Sequence, residues 1–66
     1  MREEFGVRLR KIREQKGMLQ KDLAKKIGIP SSQICRYEKG KLLPVITTLE
    51  WLCDALKVSA TELLGY

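Results

Sequence analysis

Histidine is absent from this 66-residue sequence, and cysteine occurs only twice, at Cys35 and Cys53, which lie 18 positions apart. Without histidine or a CxxC pair the ligands of a zinc site are missing, and two separated cysteines are too few for a disulfide framework. No glycine-rich phosphate loop is present either. We therefore expect free, reduced thiols, no metal, no cofactor and no enzymatic activity.

Long apolar stretches are also absent. No segment approaches the roughly 20 apolar residues that a membrane span requires. The N-terminus, where Glu3 and Glu4 follow Arg2, lacks the apolar segment of a signal peptide. Hydrophobic residues make up 44% and charged residues 32% of the sequence, a balance that argues against disorder. These features predict a soluble, cytoplasmic protein that folds as one small domain over residues 1–66.

Charge is unevenly distributed along the chain. Residues 1–41 contain 12 Lys and Arg but 5 Asp and Glu, whereas residues 42–66 contain one Lys and three acidic residues. The formal net charge of +5 therefore comes from the N-terminal part. A basic region of this kind is typical of proteins that bind a polyanion.

Apolar residues recur at spacings of three and four, the period of an α-helix, and no stretch alternates as a strand would. Phe5, Leu9 and Ile12 form the first such stripe, with Arg13 on the same apolar side, and Gly17 follows it as a stop signal. The same reasoning applies along the rest of the chain. The predicted helices cover about 2–16, 20–27, 30–38 and 46–56, with a short last helix from 59 onward.

Several residues mark where these helices begin. Pro30 is tolerated in a first turn, because its missing N–H would have no partner there. Thr47 with Glu50, and Ser59 with Glu62, have the spacing of a capping box. The sequence thus predicts five short helices and an all-α fold.

The region 20–39 can be tested as a helix-turn-helix, two short helices joined by a glycine-containing turn. Such packing requires a small residue where the helices approach, which Ala24 supplies, and a turn that Gly28 can form. The positions that must point inward are all apolar: Leu23, Ile27, Ile29, Ile34 and Tyr37.

The chain also resembles a known family over nearly its whole length. The segments that carry the resemblance are "FGVRLRKIREQKG", "QKDLAKKIGI", "SSQICRYEKGK", and a proline followed by "LEWLCDALKVSATELL". Together they are similar to the lambdoid phage repressor and Cro family of helix-turn-helix proteins, also called the xenobiotic-response-element type. The resemblance implies a compact five-helix bundle whose third helix enters the major groove of DNA.

The resemblance also implies roles for particular residues. The expected base contacts are Ser31, Ser32, Gln33 and Arg36, and the expected phosphate contacts are Gln20, Lys21, Lys39, Gly40 and Lys41. Arg13 and Glu38 match an internal ion pair between the first and third helices. Independently of the family, an arginine can pair with both acceptors of a guanine, whereas serine hydroxyls specify little. Arg36 and Gln33 are therefore expected to carry most of the base recognition.

Some positions depart from the family pattern. Leu19 and Pro30 stand where side chains that cap the second and third helices are usual. Each loss is expected to cost about 1 kcal/mol, unless Pro30 acts as a first-turn proline instead. Lys57 replaces a common closing glycine, which predicts mild strain. Leu42 and Leu43 occupy a loop that is often polar or basic, so additional phosphate contacts are not expected there.

Trp51 is predicted to face outward, because it lies nearly opposite the apolar stripe of its helix at 100° per residue. An exposed tryptophan is either partly covered at the surface or part of a subunit contact, and aromatic residues are enriched in interfaces. The predicted interface between two copies consists of Trp51, Leu42, Leu43, Val45 and Tyr66.

These observations favour a sequence-specific transcriptional regulator of a bacterium or phage, acting as a homodimer on a two-fold symmetric site in double-stranded DNA. Repressor and restriction-modification controller are the expected roles. The alternative from another class is a protein-interaction module, such as an antitoxin or an anti-repressor partner, that uses the same helices to bind a protein.

Overall fold

The computed structural model, which describes residues 1–66, contains five α-helices and no strand. The helices are α1 (Arg2–Gln15), α2 (Gln20–Ile27), α3 (Ser31–Glu38), α4 (Ile46–Leu56) and α5 (Ala60–Leu64). The prediction of an all-α, five-helix fold is thus confirmed. None of the five is long and apolar enough to cross a membrane.

The turn between α2 and α3 depends on Gly28. This residue has φ 80°, in the left-handed region that favours glycine, and its N–H donates to the carbonyl oxygen of Ala24 at 2.8 Å. Lys57 takes a similar conformation after α4, with φ 57°, although it has a side chain. A residue with a side chain thus takes the left-handed backbone conformation at the end of α4, as expected for the strain predicted at Lys57.

The helix starts differ in part from the sequence prediction. Pro30 lies just before α3 rather than in its first turn, because its ψ of 143° is extended, and its carbonyl accepts from the Gln33 N–H at 3.0 Å. The spacing of Thr47 and Glu50 predicted a capping box that does not form, since α4 begins at Ile46 without a side-chain cap.

Two other helix starts are capped. Ser59 and Glu62 form the predicted reciprocal box: Ser59 Oγ accepts from the Glu62 N–H at 3.0 Å, and Glu62 Oε1 accepts from the Ser59 N–H at 3.1 Å. At α2, the Asp22 carboxylate accepts from the Leu19 N–H at 2.8 Å. The lost side-chain cap at Leu19 is therefore compensated in part by an acidic residue one turn later.

Every helix contributes to one core. Its buried hydrophobic residues are Phe5, Leu9, Leu23, Ala24, Ile34, Tyr37, Leu52, Cys53, Ala55, Leu56 and Leu63. Burial raises the pKa of the Cys53 thiol, which further favours its protonated form. α3 packs against α1 and α2, α4 against α2 and α5, and α5 against α1. This arrangement supports α3 from one side and leaves its other side open.

Candidate nucleic-acid interface

The third helix separates into a buried and an exposed face. Ile34 and Tyr37 are almost fully buried in the core. Ser31, Ser32 and Arg36 are exposed on the other side. These three side chains, which were predicted to contact bases, therefore lie on the outer face of a helix whose inner face is packed into the core.

Gln33, the fourth predicted base contact, is half-buried. Its Nε2 donates to the phenolic oxygen of Tyr37 at 2.6 Å, one helical turn further on. The side chain therefore lies between the exposed face and the core. Sequence reasoning did not identify this bond, although an i, i+4 pair of a glutamine and a tyrosine would have been the signal.

Arg13 of α1 and Glu38 of α3 form a two-pronged ion pair. The Arg13 Nε donates to Glu38 Oε2 at 2.6 Å and Nη2 donates to Oε1 at 3.0 Å. The side chains of Arg13 and Glu38 are only 8% and 4% exposed. Nη1 of Arg13 also donates to the Met18 carbonyl oxygen at 2.7 Å. The pair thus joins the first helix to the end of the third and to the loop before the second.

The hydrogen bond to Glu38 raises the pKa of Arg13 above its ordinary value, more than burial lowers it. The guanidinium accordingly stays charged at every accessible pH. A buried charge of this kind depends on its partner, because it cannot become neutral when the partner is removed.

Gln20, the first residue of α2, belongs to the same network. Its Nε2 donates to Glu38 Oε1 at 3.0 Å. One amide hydrogen is thereby used inside the protein, and the second hydrogen and the amide oxygen remain. Glu38 therefore holds the side chain that was predicted to contact phosphate, a coupling across 18 residues that the sequence does not indicate.

The remaining predicted phosphate contacts lie in and around the helix-turn-helix. Lys21, Lys39 and Lys41 are exposed, and Gly40 between the last two is partly buried. None of these lysines forms an ion pair within the chain, and neither does Arg36. Lys25 and Lys26 of α2 also lack an ion pair, so six uncompensated cations lie on or beside α2 and α3, where they favour a polyanion.

The residues predicted to join two copies do not line a single crevice. Leu43 and Tyr66 border a first crevice, together with Leu64 and Leu49. Trp51, which is 47% exposed, borders a second crevice together with Ile46, a residue that was not predicted to be part of the interface. Leu49 borders both crevices.

The remaining two members of that predicted set differ in exposure. Val45 is exposed, whereas Leu42 is half-buried and packs against the core. Elsewhere, no group of three or more metal-ligating side chains lies together.

Comparisons with known proteins agree with this geometry. A family model described as helix-turn-helix matches residues 9–63. The HTH-type transcriptional regulator YazB of Bacillus subtilis is 38% identical over 59 residues, which cover 89% of this chain and 86% of that protein.

Solved structures match as closely. The crystal structure of the restriction-modification controller protein C.AhdI from Aeromonas hydrophila superposes with a TM-score of 0.90 at 32% identity, covering 94% of both chains. The clp gene regulator ClgR from Corynebacterium glutamicum superposes with a TM-score of 0.92 at 28% identity, covering 97% of this chain and 68% of that one. The resemblance predicted from sequence is confirmed, and the chain belongs to the helix-turn-helix family.

Proposed function

We propose that this protein is a sequence-specific, double-stranded DNA-binding transcriptional regulator whose α3 enters the major groove. One observation carries the proposal: α3 presents an outer face of exposed polar side chains, flanked by cations that have no partner within the chain. The similarity to YazB and C.AhdI supports the same function. The proposal involves binding alone, without a catalytic step or a cofactor.

The side chains divide into two groups. Ser31, Ser32, Gln33 and Arg36 contact base edges, with Arg36 suited to the two acceptors of a guanine. Gln20, Lys21, Lys39, Gly40 and Lys41 contact phosphates and fix the position of α3. Since phosphate contacts are insensitive to sequence, the preference for one operator depends on the first group.

We further propose that two copies act together on a two-fold symmetric operator in the cytoplasm. A single short helix contacts few bases, and a specific site must exceed non-specific DNA by something like 10³ in affinity. Half-sites one DNA turn apart are about 34 Å from each other. Each domain has backbone extents of 26 × 23 × 22 Å, so two domains side by side span a distance of that order.

Repression or control of a restriction-modification system are the roles that fit best. The second is supported by the coverage of the C.AhdI match.

Titration of labelled duplexes at several salt concentrations tests the proposal. We expect log K to fall linearly with log salt, with a slope of about 0.9 per phosphate contacted. The duplexes should include DNA from the protein's own promoter region and a shuffled control of equal length. Absence of binding above the shuffled control at low salt would exclude the regulator function. Capture of a stable protein partner by the same helices would then favour the alternative, an interaction module.

Arg36→Ala is expected to relax the preference at one base pair of each half-site by about 1 to 3 kcal/mol while the fold stays intact. The matched control is Lys57→Ala, which removes one exposed charge outside the helix-turn-helix and should keep the base preference. Binding by both variants to a panel of single-base operator variants measures the difference. An equal loss of affinity on every sequence would instead assign Arg36 to a phosphate.

Trp51→Ala is expected to weaken self-association, because the exposed half of this aromatic side chain on α4 is the area that a second copy would bury, and the variant lacks it. Sedimentation of wild type and variant over a range of concentrations measures the dimer dissociation constant. Val7→Ala, which shortens an exposed residue on α1, is the control. Identical sedimentation profiles for wild type and Trp51→Ala would place the interface elsewhere.

A further inference from the structure

We propose that two copies of this chain pair through the exposed face of α4, around a two-fold axis beside Leu49, with Arg8 of each copy forming an ion pair with Glu50 of the other. The inference rests on the proposed function, which requires two copies. It deepens that function by naming the surface and the polar contact that join them.

Exposed apolar residues gather beside the two crevices described above. Met1, Leu43 and Tyr66 border the first crevice, and Ile46 and Trp51 border the second. Apolar surface grouped in this way marks an interaction site, whereas single exposed apolar residues are ordinary. Neither crevice includes a residue of α3, so a partner seated there leaves the outer face of α3 free for DNA.

The two crevices carry opposite charges that have no partner within the chain. In the first crevice, the half-buried guanidinium of Arg8 lies against Gly65, where a Cβ would overlap it, and forms no ion pair. Glu4, the acidic residue of this crevice, is paired with the N-terminal amine at 3.2 Å. In the second crevice, Glu50 and Asp54 are exposed without an ion pair, and no basic residue borders it. A free cation beside one apolar surface thus complements free acids beside the other.

The arrangement of the crevices selects a second copy as the partner. Leu49 borders both crevices, so the two lie side by side on one face. A two-fold axis that passes beside Leu49 places the first crevice of each copy opposite the second crevice of the other, as a self-complementary interface requires. Glu50, the neighbour of Leu49 in α4, then faces Arg8 of the second copy, and this contact occurs twice. The same geometry explains why the residues predicted to join two copies do not line a single crevice.

Charge reversal tests the proposal by sedimentation over a range of concentrations. Arg8→Glu and Glu50→Arg each place like charges opposite one another twice, so each variant alone should dimerise about tenfold more weakly than the wild type, or worse. An equimolar mixture of the two variants should form a heterodimer with nearly wild-type affinity, because both of its contacts again join opposite charges. A mixture that dimerises no better than either variant alone would overturn the inference. Circular dichroism verifies that each variant is folded.

Glu50→Arg also gives a test that does not depend on the folding of Arg8→Glu, since Glu50 is exposed on α4. Its control is Glu3→Arg, which changes the net charge equally but borders neither crevice, and which should dimerise like the wild type. Equal weakening by both variants, or unchanged dimerisation of Glu50→Arg, would contradict the ion pair. If the wild type dimerises and binds its operator, these results overturn the inference alone. A wild type that stays monomeric on its operator would overturn the paired action in the proposed function as well.

Discussion

Replacing Glu38 with alanine is expected to lower the free energy of unfolding by about 3 to 5 kcal/mol, because it leaves the Arg13 guanidinium buried without its counter-ion. The raised pKa of Arg13 means that this cation cannot escape by losing a proton. The variant also removes the acceptor of Gln20 Nε2. A chain of this size has a total stability of about 3 to 10 kcal/mol, so the expected loss is a large fraction of the total. Urea or thermal unfolding followed by circular dichroism measures the loss.

The chain offers a matched control for this variant. Glu14 pairs with Arg10 at 3.2 Å and lies 4.0 Å from Arg13 Nη2, but the side chains of Glu14 and Arg10 are more than half exposed, so Glu14→Ala should change stability by less than about 0.5 kcal/mol. Replacing both partners by apolar residues, as in Arg13→Met with Glu38→Met, should recover a large part of the loss, because no unpaired charge then remains. If Glu38→Ala were as stable as Glu14→Ala, the buried pair would not hold the helices together.

The helices follow from the sequence because their signals are local. The apolar spacing of Phe5 and Leu9 and the stop at Gly28 depend on residues within one or two turns, and the observed bounds fall within a residue of those predicted. The errors are local as well. Pro30 has a fixed φ that suits the position before a helix as well as its first turn, and only its ψ separates the two.

The site is less predictable because its contacts join distant segments. The outward-facing polar residues of α3 could be predicted, because the apolar residues Ile34 and Tyr37 mark the side of the helix that is buried. By contrast, no periodicity connects Gln20 with Glu38, or directs an arginine side chain to the Met18 carbonyl. Such bonds depend on how α1, α2 and α3 cross, which is decided by packing of the whole core. The resemblance predicted the pairing of Arg13 with Glu38, whereas composition and spacing placed Arg13 only on the apolar side of its helix.

Gly6 provides the sharpest conflict between a local expectation and the packed structure. It lies within α1, where replacing glycine by alanine ordinarily stabilises a helix by about 0.5 to 1 kcal/mol. A Cβ at this position, however, would lie 2.5 Å from the carbonyl oxygen of Tyr37 and 2.6 Å from that of Glu38. Both atoms belong to the backbone at the end of α3 and cannot rotate away. Gly6→Ala is therefore expected to destabilise the protein, by about 1 to 3 kcal/mol or more.

The sign of the change in unfolding midpoint decides between helix propensity and close packing of α1 on α3. Val7→Ala is the control, because Val7 is the next residue of α1 and is 66% exposed, so its stability should stay within about 0.5 kcal/mol. An increase in midpoint for Gly6→Ala would mean that α1 and α3 can separate at no cost.

The expected decrease has a consequence for DNA binding, because α1 supports α3 from behind and carries Arg13, the partner of Glu38. A folded Gly6→Ala protein should therefore bind its operator more weakly than the wild type even well below its unfolding temperature, whereas Val7→Ala should bind normally.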